Sequence, residues 1–281
     1  MKSYPLEDRL LQSEKNWNSH LGVELGPQSV ISNLSRNSKD ECVVLVHGFN
    51  SNAEEMGWIA KVAHQSGWSS YSLCLPGFAN APIDSNSVTE KDWTMALADV
   101  CKLLSTEFRR IKLIGHSFGA TLILYYCQAH KQVDHEVLLL APFLGPYSKV
   151  DSTFLKSMSY LFDSVSFKFL YALSHNPDLK SLMSSPERFG TQFPLKSVRK
   201  VIRMGEQLNI FKDLAHVKGM ILHSECDKAV NVERIDELIR HNSNFTLKRW
   251  PLDSRLNHQF EIEGKKDSKE VIKSIEAFLL Q

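Results

Sequence analysis

Two short runs of this chain leave few options for its fold. Cys42-Val43-Val44-Leu45-Val46 and Val137-Leu138-Leu139-Leu140 are apolar at every position. A strand with one wet face alternates polar and apolar residues, so runs without alternation belong to strands covered on both faces. Ser29 to Leu34, Ser69 to Cys74, Ile111 to Ile114, Gly219 to His223 and Phe245 to Trp250 read as further strands. Asn52 to Gln65, Thr89 to Ser105, Ala120 to Ala129, Asn231 to Arg240 and Asp267 to Leu280 read as helices. Asn52, Thr89, Asn231 and Asp267 are the expected N-caps, with Glu55 and Glu270 at capping-box spacing from Asn52 and Asp267. Strands alternating with helices predict an α/β chain with a mostly parallel sheet and helices on both faces. Ahead of these, Leu6, Leu10, Leu11 and Trp17 fall on one face of a short helix.

The rhythm breaks once. About 75 residues separate the strand ending near Leu140 from the one starting near Gly219, far more than a strand-to-helix connection takes. Residues 143–215 therefore read as an inserted, largely helical subdomain. Residues 1–142 and 216–281 form the body. The insertion holds ten lysines and arginines against six acids. On a helix beginning near Pro194, Lys196, Arg199, Lys200 and Arg203 share one face, which suits either solvent or an anionic lipid surface.

Composition narrows the classes. The net charge is +1, so no excess positive field marks a nucleic-acid binder. No apolar stretch approaches the ~20 residues of a membrane span. Met1 to Arg9 lacks the apolar segment of a signal peptide. Five scattered cysteines point to reduced thiols and a cytoplasmic location.

The chemistry centres on Gly115-His116-Ser117-Phe118-Gly119. The pattern G-x-S-x-G is common by itself, but here it follows the strand Ile111 to Ile114 and opens the helical run from Ala120. That strand–turn–helix setting is what a nucleophile elbow needs. His47-Gly48-Phe49 follows the first buried strand and can aim a backbone N–H at a carbonyl oxygen. The expected oxyanion donors are the N–H groups of Phe49 and Phe118. A serine hydroxyl also needs a base. Among eleven histidines, His258 lies eight residues past Trp250, in the loop after the last strand. In the order nucleophile, acid, base, that is where the base belongs. The acid should follow the strand Gly219 to His223. Asp227 is the candidate, with Glu225 as a rival in the same loop and Asp253 as a solvated turn residue. No zinc-ligand pattern or phosphate-binding loop occurs, so neither a metal nor a cofactor is expected.

These residues resemble the α/β-hydrolase superfamily over Val43 to Leu280. The matches are His47-Gly48-Phe49, Leu75-Pro76-Gly77-Phe78, Asp92-Trp93, Gly115 to Gly119, Asp227 and His258. Within it the chain is similar to the carboxylesterase and monoacylglycerol-lipase-like branch. The resemblance implies an eight-stranded sheet, a Ser117–His258–Asp227 triad and a helical cap over an acyl pocket. Two positions depart from the pattern. Lys218-Gly219 stands where proline is common, and Phe78 replaces the usual histidine after Pro-Gly. The expected activity is hydrolysis of short-to-medium acyl esters or monoglycerides through an acyl-enzyme. The partner is then a small-molecule ester. A thioesterase, an acyltransferase, a carbon–carbon bond hydrolase and a ligand sensor without turnover are the alternatives.

Overall fold

The structure, a computed structural model, describes residues 5–20, 30–32, 40–78, 82–166, 192–211, 214–254, 256–260 and 266–281. In chain order the strands are β1 (Val30–Ser32), β2 (Glu41–Val46), β3 (Ser69–Leu73), β4 (Arg110–His116), β5 (His135–Leu140), β6 (Ser164–Ser166), β7 (Gln192–Pro194), β8 (Val217–Ser224) and β9 (Phe245–Trp250). The helices are α1 (Leu6–His20), α2 (Gly57–Gln65), α3 (Glu90–Leu104), α4 (Phe118–Ala129), α5 (Lys149–Leu161), α6 (Leu195–Gln207), α7 (Val232–His241) and α8 (Lys266–Leu280).

The main sheet runs β1-β3-β2-β4-β5-β8-β9. All its pairs are parallel except β1 with β3. Seven strands are therefore seen among the described residues, against eight expected. At that edge only three register pairs tie β1 to β3. Residues 21–29 and 33–39, which flank β1, lie outside the described residues.

The apolar runs behave as their lack of alternation requires. Cys42, Val44 and Val46 of β2 face a layer containing Leu10 of α1, Trp93 and Leu97 of α3 and Leu122 of α4. Val43 and Leu45, between them, face Ile59 and Ala63 of α2 and Val271, Ile275 and Phe278 of α8. A strand buried on both faces thus joins two cores. A buried lysine crosses this scheme. Lys112 of β4 is fully buried, and its Nζ donates to the carbonyl oxygens of Phe278 at 2.5 Å and Leu279 at 3.4 Å. It also pairs with Glu136 at 3.0 Å. The ammonium thereby satisfies carbonyls in the last turn of α8 that have no partner within the helix.

Helix entries follow their caps with one exception. Thr89 and Asp92 form a reciprocal capping box, and Asn231 accepts from the N–H of Arg234. Asn52 instead caps a 3-10 turn, Ala53–Met56, accepting from the N–H of Glu54. Glu55 does not fold back on that cap; its carboxylate points into the site described below. The side chain of Asp267 lies outside the described residues. Gly219, one of the two departures, is explained by packing, since a Cβ there would sit 2.2 Å from the ring of Phe245.

Between β5 and β8 come α5, the antiparallel pair β6–β7 and α6. Phe193, Leu195, Val198 and Ile202 form their own apolar cluster, against which Leu155, Phe143 and Phe49 pack. The basic face of α6 is engaged within the chain. Lys196 pairs with Asp163 at 2.7 Å, Arg203 pairs with Glu90, and Arg199 lies 4.4 Å from the centre of the Tyr160 ring. Lys200 donates to the carbonyls of Asn86 and Val88. Among the described residues, no helix is long and apolar enough to cross a membrane. All five cysteines are free thiols.

Candidate active site

Ser117 occupies the single residue between β4 and α4, with φ 51° and ψ −114°. A side chain at positive φ costs about 1–3 kcal/mol and persists only where its surroundings over-determine it. Here the Ser117 N–H donates to Leu140 O at 2.8 Å, and its carbonyl accepts from the N–H groups of Ala120 and Phe143, both at 3.1 Å. The flanking glycines are required by space. A Cβ on Gly115 would lie 2.6 Å from the Ala120 nitrogen, and one on Gly119 would lie 2.2 Å from the Val46 carbonyl oxygen. The turn therefore pushes the hydroxyl clear of the sheet.

Three side chains from separate loops meet there. The Ser117 hydroxyl is 3.0 Å from Nε2 of His258, and Nδ1 of His258 is 2.7 Å from Oδ2 of Asp227. Asp227 is only 1% exposed, and its other oxygen accepts from the N–H of Ala229 at 2.8 Å. Burial pushes this carboxyl up, but the charge and hydrogen bond of His258, the nearby His223 and the Ala229 N–H outweigh it. The net effect holds Asp227 below its ordinary value and keeps it an acceptor. His258 Nδ1 then carries the proton, and Nε2 is left to accept from the serine. Glu225, the rival acid, is exposed and takes no part. The side chain of Asp253 lies outside the described residues.

The loop after β2 completes one wall. His47 is buried; its Nε2 accepts from the N–H of Leu75 at 3.0 Å, so its Nδ1–H donates to Gly48 O at 2.7 Å. This fixes the loop against the segment holding Pro76 and Phe78. Phe78, the second departure, meets the rings of His47 and Phe49 edge-on, both at 5.7 Å. Phe49 in turn meets Phe193 of the insertion at 6.0 Å. The Gly48 N–H goes to Glu55, which leaves Phe49 as the next donor along the loop. Phe118 opens α4, where a helical N–H has no partner in its own helix. Both phenylalanines line the same cavity as Ser117.

That cavity has a volume of about 130 Å³ and is walled by Phe49, Phe143, Leu155, Phe193, Val198 and Ile202. Two neighbouring groups escaped the sequence reading. His223 is fully buried beside Asp227, with its Nδ1 3.9 Å from Oδ2, too far for a hydrogen bond. Burial pulls it down to about 4, so it is neutral at pH 7. Glu55 and His116 form a second acid–histidine contact at 2.9 Å. The signal for it lay inside the G-x-S-x-G motif itself, in the histidine at the second position.

Comparison with known proteins bears on the same region. A family model described as serine aminopeptidase, S33 (Hydrolase_4), matches residues 37–264. No curated protein matches the chain by sequence. Among solved structures, one from work on the metagenome-derived lipolytic enzymes LipS and LipT aligns with a TM-score of 0.68 at 16% identity, over 92% of this chain and 99% of that one. The monoacylglycerol lipase of Paleococcus ferrophilus gives 0.64 at 18% identity, over 85% and 93% of the two chains. A soluble variant of the monoglyceride lipase from Saccharomyces cerevisiae, bound to a substrate analog, gives 0.67 at 15% identity, over 89% and 90%. At these identities the likeness establishes the fold.

Proposed function

This chain belongs to the α/β-hydrolase family described as serine aminopeptidase, S33, and from that premise we propose that it is a serine hydrolase of carboxylic esters working through an acyl-enzyme. The observation that carries the proposal is the hydrogen-bonded series Ser117–His258–Asp227 at the floor of an apolar cavity. In this reading His258 takes the Ser117 proton as the oxygen attacks the ester carbonyl. Asp227 stabilises the imidazolium and holds its tautomer. The N–H groups of Phe49 and Phe118 receive the negative charge that develops on the carbonyl oxygen. His258 then returns the proton to the leaving alcohol and activates water to release the acid.

The cavity wall favours an ester over a peptide. Binding a peptide's free amine calls for an available carboxylate. Glu55 is the one carboxylate among the described lining residues. Both of its oxygens are already taken, by His116 and by the N–H of Gly48. The remaining wall suits a short-to-medium acyl chain. Residues 143–215 act as its cap, supplying Phe143, Leu155, Phe193, Val198 and Ile202. The test is Ser117→Ala with fluorophosphonate labelling. Loss of several orders of magnitude in kcat in a folded variant, with label on Ser117 alone in the parent, supports the reading. Retained activity or label elsewhere refutes it.

A further inference from the structure

The acid–histidine pair beside the proposed triad has no part in the mechanism above. Glu55 lies in the 3-10 turn after β2, and His116 is the last residue of β4. Nδ1 of His116 is 2.9 Å from Oε1 of Glu55, and its Nε2 is 2.9 Å from the carbonyl oxygen of His258. Oε2 of Glu55 accepts from the N–H of Gly48 at 2.7 Å. The rings of His116 and His258 are 5.0 Å apart, centre to centre.

Proton counting constrains this cluster. A carbonyl oxygen only accepts, so Nε2 of His116 carries a proton and donates to His258. A second proton lies between Nδ1 and Oε1. Burial pushes Glu55 up, but the charge and hydrogen bond of His116 and the Gly48 N–H outweigh it and hold the carboxyl at about 2. Burial pushes His116 down, but Glu55, the His258 carbonyl and Asp227 outweigh it and raise the imidazole. The second proton therefore stays on the ring. The titratable groups facing His116 are Glu55 from the 3-10 turn, His47 from the loop after β2, Asp227 from the loop after β8 and His258 from the loop after β9.

We propose that Glu55 and His116 form a positioning ion pair that holds three separate working segments of the site in register. The first is the Gly48-Phe49 loop, held through the Gly48 N–H. The second is the elbow, held because His116 precedes Ser117 directly. The third is the loop carrying His258, held through its backbone carbonyl. The inference rests on the triad reading above. Its distinguishing consequence concerns rate. The acyl wall is built largely from other residues, so loosening the pair misplaces the donor and the base while leaving ground-state binding intact. In Glu55→Gln the amide oxygen still accepts from the Gly48 N–H and the NH₂ donates to Nδ1 once His116 sheds that proton, so the contacts survive and only the charges are lost. Glu55→Ala removes both contacts and is the variant that loosens the pair.

The experiment uses the full chain in two arms. In the first, protein labelled with 13C,15N histidine is observed by NMR at pH 7.5, with the His116 ring assigned by through-bond correlation to its own backbone. Two protonated ring nitrogens on His116 are expected, and a bare nitrogen overturns the ion pair whether or not any variant folds. In the second, Glu55→Ala is assayed on p-nitrophenyl butyrate, with near-UV circular dichroism to check that it is folded. The expected result is a kcat lower by about 10- to 100-fold, with KM within about threefold of the parent. An unchanged kcat, or a loss confined to KM, overturns the positioning role. Fluorophosphonate labelling separates the two readings. An unlabelled parent Ser117 overturns the triad and this proposal with it, whereas a labelled parent and an unchanged kcat in folded Glu55→Ala overturn the pair alone.

Discussion

Asp227→Asn is the substitution whose outcome the geometry fixes most tightly. The two carboxylate oxygens have different partners, the Ala229 N–H at 2.8 Å and His258 Nδ1 at 2.7 Å. An asparagine amide has one acceptor and one donor end. The Ala229 N–H can only donate, so it selects the amide oxygen. The amide NH₂ is then turned toward His258, where it needs an acceptor. Nδ1 gives up its proton to become one, and the proton moves to Nε2, 3.0 Å from the Ser117 hydroxyl. The ring now offers the serine a donor where it needs a base. Losing both the correct tautomer and the imidazolium's counter-charge is worth about 10⁴-fold in kcat, or about 5.5 kcal/mol of transition-state stabilisation. KM should barely move, because no wall of the acyl cavity changes. Steady-state hydrolysis of a nitrophenyl ester measures the loss, and near-UV circular dichroism checks that the variant is folded. A folded Asp227→Asn enzyme within tenfold of the parent would refute the reasoning, as would a larger loss in Glu225→Gln.

Two further expectations concern stability and chain length. Glu55 titrates at about 2 in the folded chain against an ordinary 4.5. Its stabilisation is therefore present above about pH 4.5 and lost as pH falls toward 2. Thermal melts should fall more steeply through that window in the parent than in Glu55→Gln, and parallel curves would contradict it. Activity on nitrophenyl esters should peak at short-to-medium acyl chains, and Phe193→Ala, which removes a ring from the cavity wall and from the side of Phe49, should move the optimum to longer chains while lowering turnover on every ester. An optimum on long-chain emulsions that rises sharply at the lipid interface would contradict the enclosed pocket.

Much of the fold was legible because its strongest signals are local. Cys42 to Val46 and Val137 to Leu140 declared strands buried on both faces, and Gly115 to Gly119 between a strand and a helix declared the elbow. Other features depend on neighbours that sequence order does not reveal. Asp227 and Glu225 are two residues apart, and only the fold turns one inward to His258 and leaves the other in solvent. Glu55 carried a helix-cap spacing from Asn52, but a buried histidine and an N–H partner within reach outweigh a cap that water can replace. Gly219 looked like a departure until the Phe245 ring was seen against it. The basic stripe of α6 read as free charge, yet its partners, Glu90, Asp163, Tyr160 and the Asn86 to Val88 backbone, belong to other elements.

The aromatic contacts of Phe49 bear on how such enzymes can be rebuilt. Its ring is held edge-on by Phe78 from the body and by Phe193 from the insertion, and edge-to-face pairs of this kind contribute about 0.5–1.5 kcal/mol each. The same residue's backbone is the proposed charge-stabilising donor. An insertion grafted from a relative would thus arrive with more than a new wall. If it brought no ring to the place of Phe193, the chimaera would also loosen the donor, and its turnover would fall on every ester together. Selectivity and rate are not separable modules in this chain, and a graft that carries an aromatic residue to that position is the one expected to change the first without losing the second.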